Sequence, residues 1–217
     1  MKTRLILYLF AIVMFFASST VAMADPIPGD YLGLVKVVVS GGTVHGGPFT
    51  LTLPDGDKLT SFCLETNEGV HSPEIAYIND VAIKGGLNAP VGGEPLDPKT
   101  AFLYLSYLAN PHAFNTDALQ VAIWTIQDQF APKHDWVYTL LINRGYDFTT
   151  ANSYIALATA AGWTDTHGVK VLNMYHYNAT GALIYDQDTV FVPEPMTLML
   201  LGLGLVGLGI TRRKLKK

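Results

Sequence analysis

The sequence predicts an α+β domain in which an antiparallel β-sheet or sandwich is interrupted by a central helical insert. Strand-type alternation occurs before residue 84 and again after residue 168, and helix-type spacing occupies the middle of the chain. Both ends differ from this pattern, because each contains an apolar run beside basic residues. The 217-residue chain therefore divides into a leader (1–24), a body (25–192) long enough for one core, and a tail (193–217).

Three strands are predicted in the first part of the body. Residues 31–39 are rich in Val and Leu and end at a pair of glycines, and residues 49–53 and 59–64 flank the turn sequence Pro54-Asp55-Gly56-Asp57. The aspartates of this turn also suggest a calcium loop, but the other ligands of such a loop are missing, so a turn is the better interpretation. Residues 84–96, with four glycines and two prolines, are predicted to be a loop.

Four helices are predicted in the central insert, because capping residues and apolar residues at helical spacing alternate there. Their predicted positions are 99–109 behind Asp97-Pro98, 115–129, a third between Asp135 and Gly145, and a fourth between Thr149 or Thr150 and Gly162. Strand patterns return at 169–177 and 183–192. If this last hairpin joins the first strands, one sheet contains both halves of the body.

Cys63, the only cysteine, and Gln120 form a candidate reactive pair. Cys63 lies in an alternating run, which predicts a strand, and Gln120 lies on the second helix beside an apolar stripe. The stripe consists of Leu119, Ile123, Ile126 and Phe130. Trp124, one turn after Gln120, can cover the carboxamide and shield it from water. A thiolate that attacks a glutamine carboxamide expels ammonia and leaves an intramolecular thioester, whereas the simpler alternative is a buried cysteine that only fills space.

Two short motifs resemble those of the thioester domains in Gram-positive surface adhesins. They are Phe62-Cys63-Leu64-Glu65 and Leu119-Gln120-Val121-Ala122-Ile123-Trp124, although the family often has Thr where this chain has Leu119. The resemblance spans residues 31–192 and implies a Cys63–Gln120 thioester that acylates amine or hydroxyl groups of a surface target, with Phe62 as a further shielding residue. His71 and His112, each eight residues from one member of the pair, are candidates to activate the incoming nucleophile.

The N-terminal 24 residues have the pattern of a secretory signal peptide. Lys2 and Arg4 precede an apolar run, and Ala22-Met23-Ala24 is a small-x-small site for cleavage by signal peptidase before Asp25. The mature chain is therefore expected outside the cytoplasm, with one cysteine and no intramolecular disulfide. Between Asp25 and Glu194 it contains 7 basic and all 18 acidic residues, a net charge of −11. This charge argues against nucleic acid or anionic lipid as a partner.

The C-terminal tail has three parts in order. Pro193-Glu194-Pro195 is followed by apolar or small residues at 196–210 and then by the basic residues Arg212, Arg213, Lys214, Lys216 and Lys217. A helix over the apolar part would span about 22 Å, less than a ~30 Å hydrocarbon core, and its basic end would stay in the cytoplasm.

These three parts resemble the PEP-CTERM sorting signal, which is recognised by an exosortase, a membrane protease of Gram-negative bacteria. The resemblance implies an inner-membrane intermediate, removal of the tail and export of the body to the cell surface or the exopolysaccharide matrix. An ordinary tail anchor is the alternative.

Two functions remain open at this stage. The first is a covalent adhesin that uses the Cys63–Gln120 thioester, and the second is a non-reactive structural or carbohydrate-binding matrix component whose tyrosines stack on sugars. The sequence contains no hydrolase motif, and its six histidines (His45, His71, His112, His134, His167 and His176) show no metal-ligand spacing. No enzymatic activity, cofactor or metal is therefore expected.

Overall fold

The structure is a computed structural model that describes residues 29–39, 47–84, 90–129 and 136–193. The predicted signal peptide with Ala22 and Ala24, most of the sorting signal and the basic tail lie outside the described residues. Within the described ranges, no helix is long and apolar enough to cross a bilayer.

In the part of the chain that the structure describes, strands at both ends of the body form one seven-stranded antiparallel sheet, with the helices between them in the chain as the sequence predicts. The strands are β1 (Asp30–Val39), β2 (Phe49–Thr52), β3 (Lys58–Ser61), β4 (Glu74–Asn79), β5 (Val81–Ala82), β6 (Glu94–Pro95), β7 (Lys170–Tyr177), β8 (Leu183–Tyr185) and β9 (Thr189–Phe191). The helices are α1 (Pro98–Ala109), α2 (Thr116–Ile126), α3 (Trp136–Asn143) and α4 (Phe148–Ala161), with a short 3-10 turn at Pro111–Ala113.

The main sheet has the order β3-β2-β1-β4-β7-β8, and β9 also pairs with β7, whereas β5 and β6 form a separate two-stranded sheet. Two further hydrogen bonds bring the ends of this sheet together. The Val190 N–H donates to the Phe62 carbonyl at 3.1 Å, and the Leu64 N–H donates to the Asp188 carbonyl at 2.9 Å. Because Phe62 directly follows β3 in the chain, the sheet curls until its first and last strands meet. The segment that contains Cys63 lies at this closure.

α1 and α2 begin within one residue of their predicted starts, because their caps are local, whereas α4 begins at Phe148 behind Asp147 and not at Thr149 or Thr150. Asp97 caps α1 and Asn115 caps α2, and the side-chain oxygens accept from the N–H groups of Lys99 (2.7 Å) and Ala118 (3.0 Å). α2 differs from the expected amphipathic helix, since every residue from Ala118 to Trp124 is buried. It packs against α1 and α4, and its Gln120 side chain reaches the sheet.

Several strand predictions need correction. β3 ends at Ser61, so Cys63 is not on a strand and pairs with Thr189 through an isolated bridge. The predicted alternation fails there, because all residues from Ser61 to Thr66 are buried. β4, a central strand, was not predicted. The predicted loop at 84–96 contains β6, and the predicted strand at 183–192 is divided into β8 and β9.

Candidate functional site

Cys63 and Gln120 meet at the closure of the sheet, as the hypothesis of a bonded pair requires. The Gln120 side-chain nitrogen donates to the Cys63 backbone carbonyl at 2.9 Å, and the Cys63 N–H donates to the Gln120 Oε1 at 3.0 Å. Cys63 is 1 % exposed and Gln120 is fully buried, rather than half-buried as the helix pattern suggests. A residue of the β part and one of the helical part are thus in direct contact, 57 positions apart in the chain.

Two backbone N–H groups converge on the carboxamide oxygen of Gln120. The Gly47 N–H donates to Oε1 at 2.8 Å, in addition to the Cys63 N–H at 3.0 Å. Paired backbone donors on one carbonyl oxygen polarise the carbonyl carbon, and they stabilise the negative charge that develops on this oxygen when a nucleophile adds. The arrangement therefore has the form of an oxyanion hole around the Gln120 side chain.

Gly47 has to be a glycine because the chain passes very close to the pair. A Cβ atom at this position would lie 2.9 Å from the Phe62 Cα and 3.0 Å from the Gln120 Oε1. Contacts this short with a backbone atom and with a fully buried amide cannot be relieved by a small side-chain movement. The missing side chain is what allows the Gly47 N–H to reach the carboxamide.

Aromatic and aliphatic side chains surround the pair and exclude water. Phe62 is fully buried, and its ring packs edge-on against Tyr107 with the centroids 5.0 Å apart. Trp124 is fully buried one turn after Gln120. The Tyr104 hydroxyl donates to the Thr60 carbonyl at 2.7 Å and so joins α1 to β3 just before Cys63. The shielding roles predicted for Phe62 and Trp124 are compatible with these positions and remain predictions.

Burial controls the ionisation of the thiol. Desolvation raises the pKa of Cys63 well above its ordinary value, and the nearby Glu65 carboxylate raises it further. The backbone N–H groups of Gly47 and of Cys63 itself act in the opposite direction on this pKa. The same two N–H groups thus act on both the Cys63 thiol and the Gln120 oxygen. An uncharged sulfur is the favoured form in this site.

A buried carboxyl network lies next to the pair. Glu65 Oε2 accepts from the Gln187 side chain at 2.6 Å and from the Asp188 N–H at 2.9 Å, while Glu65 Oε1 is buried with no hydrogen-bond partner among the described residues. Burial and the nearby Asp188 raise the pKa of Glu65 well above its ordinary value. Burial also raises the pKa of Asp188, although the Asn173 side chain donates to its carboxylate at 2.8 Å. Two adjacent buried carboxyls resist ionising together.

A second polar cluster, which the sequence did not predict, lies where β7 and β8 end. His71 Nδ1 is 2.7 Å from Asp186 Oδ1, and His176 Nδ1 is 2.6 Å from Asp186 Oδ2. The two imidazole rings stack with their centroids 3.9 Å apart. His176 and Asp186 lie on the two arms of one hairpin, a proximity that the sequence pattern could have indicated. Nothing in the pattern placed His71 beside them.

The remaining predicted site residues are either apart from the pair or outside the described residues. His112 is exposed in the 3-10 turn, and His71 belongs to the Asp186 cluster. The hydrogen bonds of the Gln120 carboxamide go to Gly47 and Cys63 and to neither histidine. Pro193 is the last described residue. Glu194, Pro195 and the five basic residues of the tail lie beyond it.

Comparison with protein families identifies the C-terminal signal. Residues 191–214 match the PEP-CTERM protein-sorting motif. This match agrees with the three-part tail and supports an exported protein that an exosortase sorts to the cell surface. A search of curated proteins gave no match.

Comparison with solved structures found the N-terminal thioester domain of the fibronectin-binding protein SfbI from Streptococcus pyogenes. The similarity has a TM-score of 0.42 and 16 % sequence identity, and it covers 78 % of this chain and 97 % of the SfbI domain. At this level of similarity, the inference about function has to come from the site itself.

Proposed function

We propose that this protein is an exported covalent adhesin whose Cys63 sulfur and Gln120 acyl carbon form an internal thioester. The main support is the pair of backbone N–H groups, from Gly47 and Cys63, on the Gln120 carboxamide oxygen. A glutamine that only filled space would not need two converging donors and an obligatory glycine. Two hydrogen bonds between the Gln120 carboxamide and the Cys63 backbone bring the residue of the nucleophile, the electrophile and the oxyanion site together.

Bond formation proceeds by acyl transfer within the chain. The Cys63 sulfur adds to the Gln120 Cδ, and the charge that develops on Oε1 is held by the two backbone N–H groups. The C–N bond then breaks, and the nitrogen leaves as ammonia with the proton of the thiol. The product is a neutral thioester, which suits a dry site better than a thiolate does.

Reaction with a target breaks the C–S bond of the thioester and forms a new bond at the Gln120 Cδ. An amine or hydroxyl of the target attacks the Gln120 Cδ through a tetrahedral intermediate held by the same donors. The C–S bond breaks, a proton from the nucleophile passes to the sulfur, and the target stays linked to Gln120 as an amide or ester. Because Cys63 is regenerated as a thiol while Gln120 is consumed, each molecule reacts once.

Burial of the pair serves this function by protecting the stored bond. Water reaches neither Cys63 nor Gln120 in the described structure, so spontaneous hydrolysis of the thioester is slow. The sorting signal supplies the other requirement, since a surface adhesin has to be exported before it meets its target.

Intact mass spectrometry of the purified protein tests the proposal. The expected mass is lower than the sequence mass by one ammonia, and methylamine treatment should replace this deficit with an adduct on Gln120. Gln127, at the end of the same helix, provides an internal control because it is also buried but lies away from the sulfur. Peptide mapping should find it unmodified.

The Cys63→Ala variant provides the matched control for the bond. It should show the full mass of its own sequence and take up no methylamine, while its fold is retained because the substitution leaves the backbone partners of the Gln120 carboxamide in place. A wild-type protein with full sequence mass, a titratable thiol after denaturation and no adduct would contradict the proposal.

The second candidate is a non-reactive matrix component. One observation favours it: the Gln120 carboxamide already makes three hydrogen bonds, to the Gly47 N–H and to the N–H and carbonyl of Cys63. Three bonds are enough for a purely structural amide that fastens α2 to the closure of the sheet. Under this alternative the mass spectrum shows no loss of ammonia.

A further inference from the structure

We infer that His71, His176 and Asp186 bind one divalent transition-metal ion of the zinc class, at a site separate from the Cys63–Gln120 pair. The potential ligand atoms of the three residues all lie within 4.8 Å of one another. Two imidazoles and one carboxylate form a nitrogen and oxygen donor set that suits zinc and its neighbours in the first transition series.

The cluster is built from three parts of the chain, and the sheet fixes two of them. His176 is in β7 opposite Ile184 of β8, and Asp186 follows β8, where its N–H donates to the Met174 carbonyl at 2.8 Å. His71 lies three residues before β4, the neighbour of β7 on its other edge. The strand pairing therefore positions His176 and Asp186, and His71 reaches them from the segment that leads into β4.

The cluster combines one buried side chain with two side chains that solvent can reach, as a metal-binding site requires. Asp186 is 1 % exposed and is thus a fixed anchor, while the His71 side chain is 54 % exposed and that of His176 is 21 % exposed. A cation can therefore approach from solvent on the imidazole side, and open coordination positions there can be filled by water.

The distances are close to those of a coordinated ion. Zinc ligands at about 2.0–2.2 Å lie roughly 3.3 Å from one another in a tetrahedral site, whereas the two Nδ1 atoms lie 2.7 and 2.6 Å from the carboxylate oxygens. Small outward movements of the two rings would admit the ion. For a neutral imidazole, the proton on Nδ1 moves to Nε2 as the metal binds at Nδ1.

Two further carboxyl groups, those of Glu68 and Glu74, lie near Asp186. Each has one buried oxygen without a hydrogen-bond partner among the described residues. Glu74 also accepts a hydrogen bond from the His71 N–H and so ties that ligand to the sheet.

Calorimetric titration of the full-length protein with ZnCl₂ tests this inference, using protein without a histidine tag. We expect one Zn²⁺ per chain, with at least about tenfold weaker binding for His71→Gln, His176→Gln and Asp186→Asn. His167→Gln is the matched control, because His167 Nε2 lies 3.5 Å from Asp165 and forms a histidine–aspartate pair that no second imidazole of the described residues joins. It should bind like the wild type.

A second measurement separates loss of a ligand from loss of the fold. Zn²⁺ should raise the melting temperature of the wild type and of His167→Gln, but not that of His71→Gln, whose exposed side chain can be replaced without disturbing the core. Absence of saturable one-to-one binding by the wild type would overturn the inference, as would unchanged affinity in all three ligand variants. Neither result depends on whether the thioester forms.

Discussion

The Cys63–Gln120 pair and the His71–His176–Asp186 cluster are built in opposite ways. The pair is almost fully buried, and backbone N–H groups hold it. The cluster is partly exposed, and side chains hold one another around a buried aspartate. The first arrangement suits a bond that has to be kept from water, and the second suits a ligand that exchanges with solvent. The segment 186–188 links the two regions. Asp186 belongs to the cluster, and the Gln187 side chain donates a hydrogen bond to Glu65, which lies beside the pair.

The largest effect should come from removing the Gln120 side chain. Gln120→Ala leaves the Gly47 N–H, the Cys63 N–H and the Cys63 carbonyl without their buried partner, so we expect a loss of about 3–5 kcal/mol in unfolding free energy. Chemical denaturation with urea measures this loss. Cys63→Ala is the comparison, since it keeps the three backbone partners of the carboxamide and removes the sulfur together with any bond to Gln120; loss of the sulfur atom itself should cost about 1–2 kcal/mol. Equal losses would mean that the amide is not the structural link described above.

An intermediate effect is expected at Gly47. In Gly47→Ala the new methyl group contacts the Phe62 Cα and the Gln120 oxygen, which should cost about 1–3 kcal/mol of stability and slow formation of the methylamine adduct. Gly69→Ala is a suitable control, because its Cβ would meet only the His71 ring at an ordinary 3.8 Å. Thermal melts and the rate of adduct formation should change in the first variant and not in the second.

The smallest effect should be a pH dependence of the unfolding free energy that arises from Glu65, which lies beside the Cys63–Gln120 pair. The pKa of Glu65 is raised in the folded protein, so the folded state keeps a proton that the unfolded state loses above its ordinary pKa of 4.5. Stability from this group is therefore complete below that pH and falls as the pH rises. Glu65→Gln cannot ionise, so it should flatten the fall and be more stable relative to the wild type at pH 8 than at pH 5.

Urea denaturation of the wild type and of Glu65→Gln from pH 5 to pH 8 measures this difference. Parallel curves for the two proteins would show that Glu65 ionises freely in the fold. Because Gln187 and Asp188 both donate hydrogen bonds to Glu65, the result would also show whether the segment 186–188, which includes Asp186 of the histidine cluster, affects stability beside the Cys63–Gln120 pair.

Local signals predicted much of this fold. Asp97 and Gly162 marked helix ends because caps act over one turn, and the Pro54–Asp57 turn fixed the β2–β3 hairpin. The sequence missed β4 and the division of the last strand at residues 186–188, where three buried polar residues serve non-local partners. Cys63 was wrongly placed on a strand because its pairing partner, Thr189, is distant in the chain.

The sequence by itself determined the α+β class, the candidate pair and the three-part tail that matches the sorting motif. These follow from residue periodicity and from motifs whose members lie close together in the chain. Only the tertiary structure decided that Gly47 supplies the second donor, that Gln120 is fully buried, and that His71 joins His176 and Asp186. The first two depend on closure of the sheet, and the third depends on the pairing of β7 with β4 and β8; both bring together residues far apart in the chain.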